Sequence, residues 1–88
     1  MSALVAALLA FAPAMTDAQV RQAIIDESIA DYRERTGGAC PCPYNRMRNG
    51  NECGKRSAWS KGGGEAPLCY AKEVSDEMVG SWRAARGR

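Results

Sequence analysis

The sequence predicts a small disulfide-rich, mainly α-helical domain in which two helices flank an irregular, cysteine-stapled loop region. Three observations predict this fold. The chain has only 88 residues, so its core must be small, and its four cysteines form an even set that can cross-link it. Two segments with helical patterning lie on either side of the region that holds every cysteine. A core of this size rarely contributes more than about 3–5 kcal/mol, so we expect the cross-links to supply further stability.

The first fourteen residues predict an export signal. Residues 1–14 carry no charge and are mostly Ala, Leu, Val and Phe, with Ala12 and Ala14 at the small positions of a cleavage site. The segment is shorter than the roughly 20 apolar residues of a membrane span. We expect a signal peptide cleaved after Ala14 and a single domain over residues 15–88. Because no basic residue precedes Arg21, a retained apolar helix packed on the domain is the alternative.

The first helix is predicted at about residues 17–35. Thr16 and Gln19 match the two polar positions of a capping box, which marks a helix start. Apolar side chains then recur at helical spacing and predict one buried face, formed by Val20, Ile24, Ile25, Ile29 and Tyr32. Gly37 and Gly38 follow, and glycine commonly ends a helix because it adopts the left-handed conformation without a Cβ penalty.

The remaining chain divides into a loop region, at 39–70, and a second helix, at about 76–86. Asn49-Gly50 is a strong turn signal, so the loop region can contain a short hairpin, although its flanks are poor in β-branched residues. Ser75 can cap the second helix, and Val74 can pack on Val79 across that cap.

Four cysteines in a short exported chain predict two disulfides. They are Cys40, Cys42, Cys53 and Cys69. A bond between Cys40 and Cys42 would close a strained ring with one intervening residue, which favours the two pairings that send these neighbours to different partners. A four-cysteine metal site is the alternative if the chain stays in a reducing cytoplasm, but its C-x-C spacing departs from the usual C-x2-C ligand pairs.

The composition argues against catalysis. The chain has no histidine, which excludes Ser-His-Asp and Cys-His nucleophiles and histidine-ligated metals. The glycine run at 62–64 follows Lys61 but lacks the Gly-Lys-Ser/Thr core of a phosphate-binding loop. We therefore predict that the protein is not an enzyme and requires no cofactor.

The cysteine loop, at 39–70, is basic, and Lys72 lies just beyond it. Residues 40–72 carry six Lys or Arg and two Glu, a net charge of +4, whereas residues 16–39 carry three Arg and five Asp or Glu, a net charge of −2. Cations beside aromatic rings can bind anionic polymers. The candidate anion-binding residues are Arg46, Arg48, Lys55, Arg56, Trp59 and Lys61. The alternative is that Trp59 belongs to the core and that the cations are ordinary solvated surface.

Several longer motifs cover most of the chain after residue 23. They are IIDESIA at 24–30, CPCPYN at 40–45, NG at 49–50, CGKRSAWS at 53–60, APLCY at 66–70 and VSDEMV at 74–79. Together they resemble a family of small, uncharacterised bacterial exported proteins. The resemblance implies a periplasmic or secreted location, and it implies no catalytic residue or ligand because that family has no established activity.

These observations predict an exported, non-enzymatic binding or structural protein without a membrane span after processing. Its partner is expected to be another protein or an envelope component. The alternative partner is an anionic polymer, either nucleic acid or acidic polysaccharide, bound by the basic and aromatic loop. A small secreted inhibitor or toxin is a third possibility that four cysteines allow.

Overall fold

A computed structural model describes residues 14–62 and 66–86. The predicted signal peptide lies outside these ranges except for Ala14, as do Gly63 and Gly64 of the glycine run. Three α-helices are present in the described ranges: α1 (Asp17–Thr36), α2 (Ala58–Lys61) and α3 (Asp76–Arg86). Single 3-10 turns at Gly54–Arg56 and Ala71–Glu73 precede α2 and α3. The predicted mainly α, disulfide-rich fold is confirmed.

Both predicted ends of α1 are confirmed. The Thr16 hydroxyl accepts a hydrogen bond from the Gln19 amide at 3.1 Å, and the Gln19 side chain accepts one from the Thr16 amide at 2.8 Å. This reciprocal pair satisfies two amides that the helix itself cannot. Gly37 has a φ of 69° and its N–H donates to the Arg33 carbonyl at 2.8 Å, so it is the left-handed cap.

Gly38 has a different role from its neighbour. A Cβ built on it would lie 2.7 Å from the Tyr32 hydroxyl oxygen and 2.9 Å from its ring carbon Cε2. Glycine therefore allows the Tyr32 side chain to approach this backbone closely. The result is that the Tyr32 ring lies directly on the backbone that enters the cysteine loop.

The helix α3 begins as predicted and packs on α1. The Ser75 hydroxyl accepts from the Met78 amide at 3.1 Å, and Val74 and Val79 are both buried. Arg21 of α1 reaches the segment just before α3, where its Nε donates to the Val74 carbonyl at 3.1 Å. None of the helices in the described ranges is long and apolar enough to cross a bilayer.

The core joins the helices to the cysteine loop. Its buried members are Val20, Ile25, Ile29, Cys42, Cys69, Val74 and Val79, and half-buried Trp59, Leu68 and Tyr70 pack against them. The disulfides are Cys40–Cys53 and Cys42–Cys69, which is one of the two pairings left open by the sequence. The second bridge lies inside the core and so acts as both a cross-link and a packing element.

The predicted hairpin is reduced to one antiparallel bridge, between Arg46 and Glu52. Its turn is closed by a hydrogen bond of 2.9 Å from the Gly50 amide to the Met47 carbonyl, and Gly50 has a φ of 89°. The flanking residues lack the β-branched side chains that extend a ladder, which agrees with so short a pairing.

The short helix α2 was not predicted from the sequence. Its cap is Ser57, which is fully buried and whose hydroxyl accepts from the Ser60 amide at 3.2 Å. The Ala58 amide donates to the Cys40 carbonyl at 2.8 Å, so the start of α2 is tied to the first disulfide.

Candidate anion-binding site

The predicted cations lie on three neighbouring pieces of the cysteine loop. Arg46 and Arg48 belong to the hairpin, Lys55 and Arg56 to the 3-10 turn, and Lys61 to the end of α2. All five are exposed. Cys53 lies between the hairpin and the 3-10 turn, and its disulfide links both to Cys40. The Cys40 carbonyl in turn accepts from the first amide of α2.

The helical and loop cations differ in their pairing. Of the five arginines in α1 and α3, all but Arg33 form ion pairs with described residues. The pairs are Arg21 with Asp76, Arg35 with Asp31, Arg83 with Asp17 and Arg86 with Glu27. None of the five loop cations forms an ion pair with a residue in 14–62 or 66–86. Their charge is therefore not neutralised by the described part of the chain and faces solvent.

Two of the loop arginines make contacts within the loop. One N–H of the Arg46 guanidinium donates to the Gly50 carbonyl at 2.8 Å, which helps to close the turn. The Arg56 guanidinium lies 4.0 Å from the Met47 sulfur, a weak contact. Because a guanidinium carries five N–H donors, both side chains retain donors for an external anion.

Trp59 lies in the core rather than on the cationic surface. Its ring meets that of Tyr70 edge-on, with centroids 5.1 Å apart, and its Nε1 donates to the Glu73 carboxylate at 2.8 Å. The structure thus supports the alternative interpretation of Trp59 as a packing residue. As an anion contact it stays a prediction, with its one polar group already occupied.

An open cleft of about 580 Å³ lies beside the cations. It is lined by Tyr32, Gly38, Ala39, Cys40, Met47, Arg56, Ala58, Lys61 and Gly62. The aromatic ring in this cleft is Tyr32, which the helical spacing assigned only to the buried face of α1. The sequence contains no local signal for this role, because Tyr32 is far from Arg56 and Lys61 in the chain. The path of the cysteine loop brings all three residues to the same cleft.

Two groups beneath the loop have shifted pKa values. Burial by itself would raise the pKa of Glu73, but hydrogen bonds from the Cys69 amide, Trp59 Nε1 and the Tyr70 amide, with Lys72 nearby, outweigh it and lower that pKa. Burial, aided by neighbouring Tyr70 and by acidic groups, raises the pKa of Tyr44, whose hydroxyl donates to the Cys69 carbonyl at 2.8 Å. Both side chains are therefore engaged in hydrogen bonds with backbone groups at Cys69 and Tyr70.

Two other clefts differ in chemistry from the basic one. An apolar cleft of about 410 Å³ between α1 and α3 is bordered by Ile24, Met78 and Trp82. A third cleft, of about 330 Å³, has a mixed lining that includes Asp26, Arg33 and Tyr44, so it has charges of both signs.

Metal binding has no preformed site in the described ranges. All four cysteines are in disulfides, and no group of three or more acidic or cysteine side chains is arranged around a common point there. The four-cysteine metal site thus stays an alternative for the reduced chain.

The described residues form a small helical protein with two disulfides and a loop region that carries exposed cations. No model of a known protein family matches the chain, and neither does any curated protein or any solved structure.

Proposed function

We propose that this chain is an exported, non-enzymatic binding protein whose basic cysteine loop binds an anionic polymer. The observation that carries the proposal is the contrast in pairing. Four helix arginines are engaged by carboxylates, whereas the loop cations have no ion-pair partner in the described ranges. Exposed cations that no described carboxylate pairs with attract a polyanion and are available to displace its counterions.

Two features support export. Both disulfides require an oxidising compartment to form and persist, which in bacteria means the periplasm or the exterior. The resemblance of the cysteine motifs to small exported bacterial proteins points the same way.

The use of the shifted titratable groups supports a non-enzymatic role. Catalytic acids and bases usually combine a perturbed pKa with an open position in a cleft. Glu73 instead accepts three hydrogen bonds from Trp59, Cys69 and Tyr70, and the Tyr44 hydroxyl is used on a backbone carbonyl.

The test is a salt titration with the purified, oxidised chain. Binding to labelled single-stranded DNA and to polygalacturonate is measured from low to physiological salt, with a neutral polysaccharide as the control. We expect binding to at least one polyanion that weakens steeply as salt rises, because counterion release drives it. Absence of any polyanion binding at low salt would overturn the proposal.

Export has its own test. The intact mass of the chain purified from its native host is measured after alkylation without reductant. We expect the mass of the chain without its first 14 residues and no added alkyl group. An uncut chain carrying four alkyl groups would contradict export and favour the metal-binding alternative.

A second candidate function is binding to a protein or envelope component. The apolar cleft bordered by Ile24, Met78 and Trp82 favours it, because such a surface is typical of contacts that do not depend on charge. Retention by an envelope fraction at high salt, where charge-driven binding is screened, tests this function. Release at high salt would contradict it.

A further inference from the structure

The lining of the basic cleft is of two chemical kinds. Tyr32, Met47 and Ala58 contribute mainly carbon, whereas Arg56 and Lys61 contribute cations, and the Arg56 guanidinium lies 4.0 Å from the Met47 sulfur. Its volume of about 580 Å³ lies within the range of small-molecule sites and is large enough for a ring-sized ligand. A ligand suited to both kinds of lining residue must combine an apolar face with a negative charge.

The Tyr32 side chain lies close to the backbone that enters the cysteine loop. A Cβ on Gly38 would lie 2.7 Å from the Tyr32 hydroxyl oxygen, so glycine leaves room for the ring. The Thr36 hydroxyl strengthens this turn, since it donates to the Tyr32 carbonyl at 2.8 Å and accepts from the Gly38 amide at 3.0 Å. The ring therefore lies against a hydrogen-bonded turn at the end of α1.

The two cations of the cleft are both close in the chain to residues tied to the first disulfide. Cys40 lines the cleft, and its partner Cys53 directly precedes the 3-10 turn that carries Arg56. Lys61 ends α2, whose first amide bonds to the Cys40 carbonyl. Both cations are thus linked through the chain to the same disulfide.

We infer that this cleft binds one uronate unit of an acidic polysaccharide, an inference that rests on the proposed function and names its ligand. The C–H face of a sugar ring packs on an aromatic ring such as Tyr32. A carboxylate on that sugar then meets the Arg56 guanidinium, which matches carboxylate geometry in a two-bond contact, and the Lys61 ammonium.

Nucleic acid fits the surface less well. Proteins that bind single strands stack successive bases on several aromatic rings. Here Trp59 packs on Tyr70 in the core, and Tyr44 borders the separate cleft that contains Asp26 and Arg33. One ring beside two cations suits a sugar acid better than a run of bases.

The experiment uses the oxidised full domain and a defined oligogalacturonate, with a neutral oligosaccharide of equal length and single-stranded DNA as comparison ligands. Tyr32→Ala should weaken oligogalacturonate binding about tenfold, by analogy with the cost of losing one stacked ring. Tyr32→Phe should retain affinity, because it keeps the ring. Lys61→Gln should weaken oligogalacturonate binding. Lys72→Gln makes the same charge change outside the cleft and should change the affinity by less than about twofold.

The outcomes separate this inference from the proposed function. Equal effects of Lys61→Gln and Lys72→Gln, or no effect of Tyr32→Ala, would overturn the cleft assignment while polyanion binding stands. Tighter binding of DNA than of oligogalacturonate would overturn the ligand class. If Tyr32→Ala fails to fold, the comparison of Lys61→Gln with Lys72→Gln still decides. If no polyanion binds at low salt, the proposed function and this inference both fail.

Discussion

At the scale of single residues, Glu73 joins separate parts of the chain through three hydrogen bonds. Its Oε1 accepts from the Cys69 and Tyr70 amides, both at 2.9 Å, and its Oε2 accepts from Trp59 Nε1 at 2.8 Å. One carboxylate therefore connects α2 to the second disulfide and to the 3-10 turn before α3. Its lowered pKa records that these donors favour the ionised form.

Glu73→Gln should lower the free energy of unfolding by about 1–2 kcal/mol at neutral pH, because the amide loses the charge-assisted bonds. The matched control is Glu34→Gln, the same change at an exposed site on α1. Denaturant unfolding of both variants checks this. An equal effect at the two sites would contradict the role assigned to Glu73.

The pH dependence of stability should follow from the same carboxylate. Because its pKa is lower in the folded than in the unfolded chain, the unfolded chain binds the proton first as the pH falls. Its stabilising effect is complete above the ordinary glutamate pKa and is lost as the pH falls through the lowered folded value. Unfolding measured across this acid range should therefore show a smaller loss for Glu73→Gln than for the native chain, and an unchanged loss would contradict the account.

At the scale of elements, local signals explain the ends of the long helices. The Thr16 box, the Gly37 cap and the Ser75 cap involve neighbours within four residues, so the sequence alone predicts them. The helix α2 differs because it has a single turn whose first amides bond to Cys40 and Pro41, far away in the chain. Such a turn depends on tertiary contacts and could not be predicted from periodicity.

Thr16→Ala should destabilise the protein by about 1 kcal/mol, because it removes the hydroxyl that accepts from the Gln19 amide. Gln22→Ala, on the exposed face of the same helix, should change stability by only a few tenths of a kcal/mol. Thermal and denaturant unfolding of the two variants provide the comparison. A larger effect at Gln22 would show that the cap contributes little.

At the scale of the whole molecule, the fold depends on two covalent links with unequal roles. Cys40–Cys53 spans 13 residues and ties the basic pieces together, whereas Cys42–Cys69 spans 27 residues and its sulfurs are buried in the core. The sequence narrowed the pairing to two choices, but their selection depends on where the core places Cys42 and Cys69. Tyr32, Arg56 and Lys61 line one cleft because of the same tertiary fold, so their proximity could not be predicted from the sequence either.

Removal of either disulfide should destabilise the domain, and removal of the core disulfide should cost more. Loop-closure entropy gives about 3 kcal/mol for Cys40→Ala with Cys53→Ala and about 3.5 kcal/mol for Cys42→Ala with Cys69→Ala, to which the core cavity adds. Denaturant unfolding of the two double variants tests the order. The reverse order would contradict the placement of the second bridge in the core.

The most direct test of the central claim compares how polyanion affinity falls with salt in the native chain, in Arg48→Gln and in Arg33→Gln. Arg48 lies on the basic loop and Arg33 on α1, both are exposed, and each change removes one positive charge. We predict that Arg48→Gln weakens binding and makes its salt dependence shallower, because one cation no longer displaces a counterion, while Arg33→Gln follows the native chain. Identical curves for Arg48→Gln and the native chain, or an equal change in the two variants, would contradict binding through the cysteine loop.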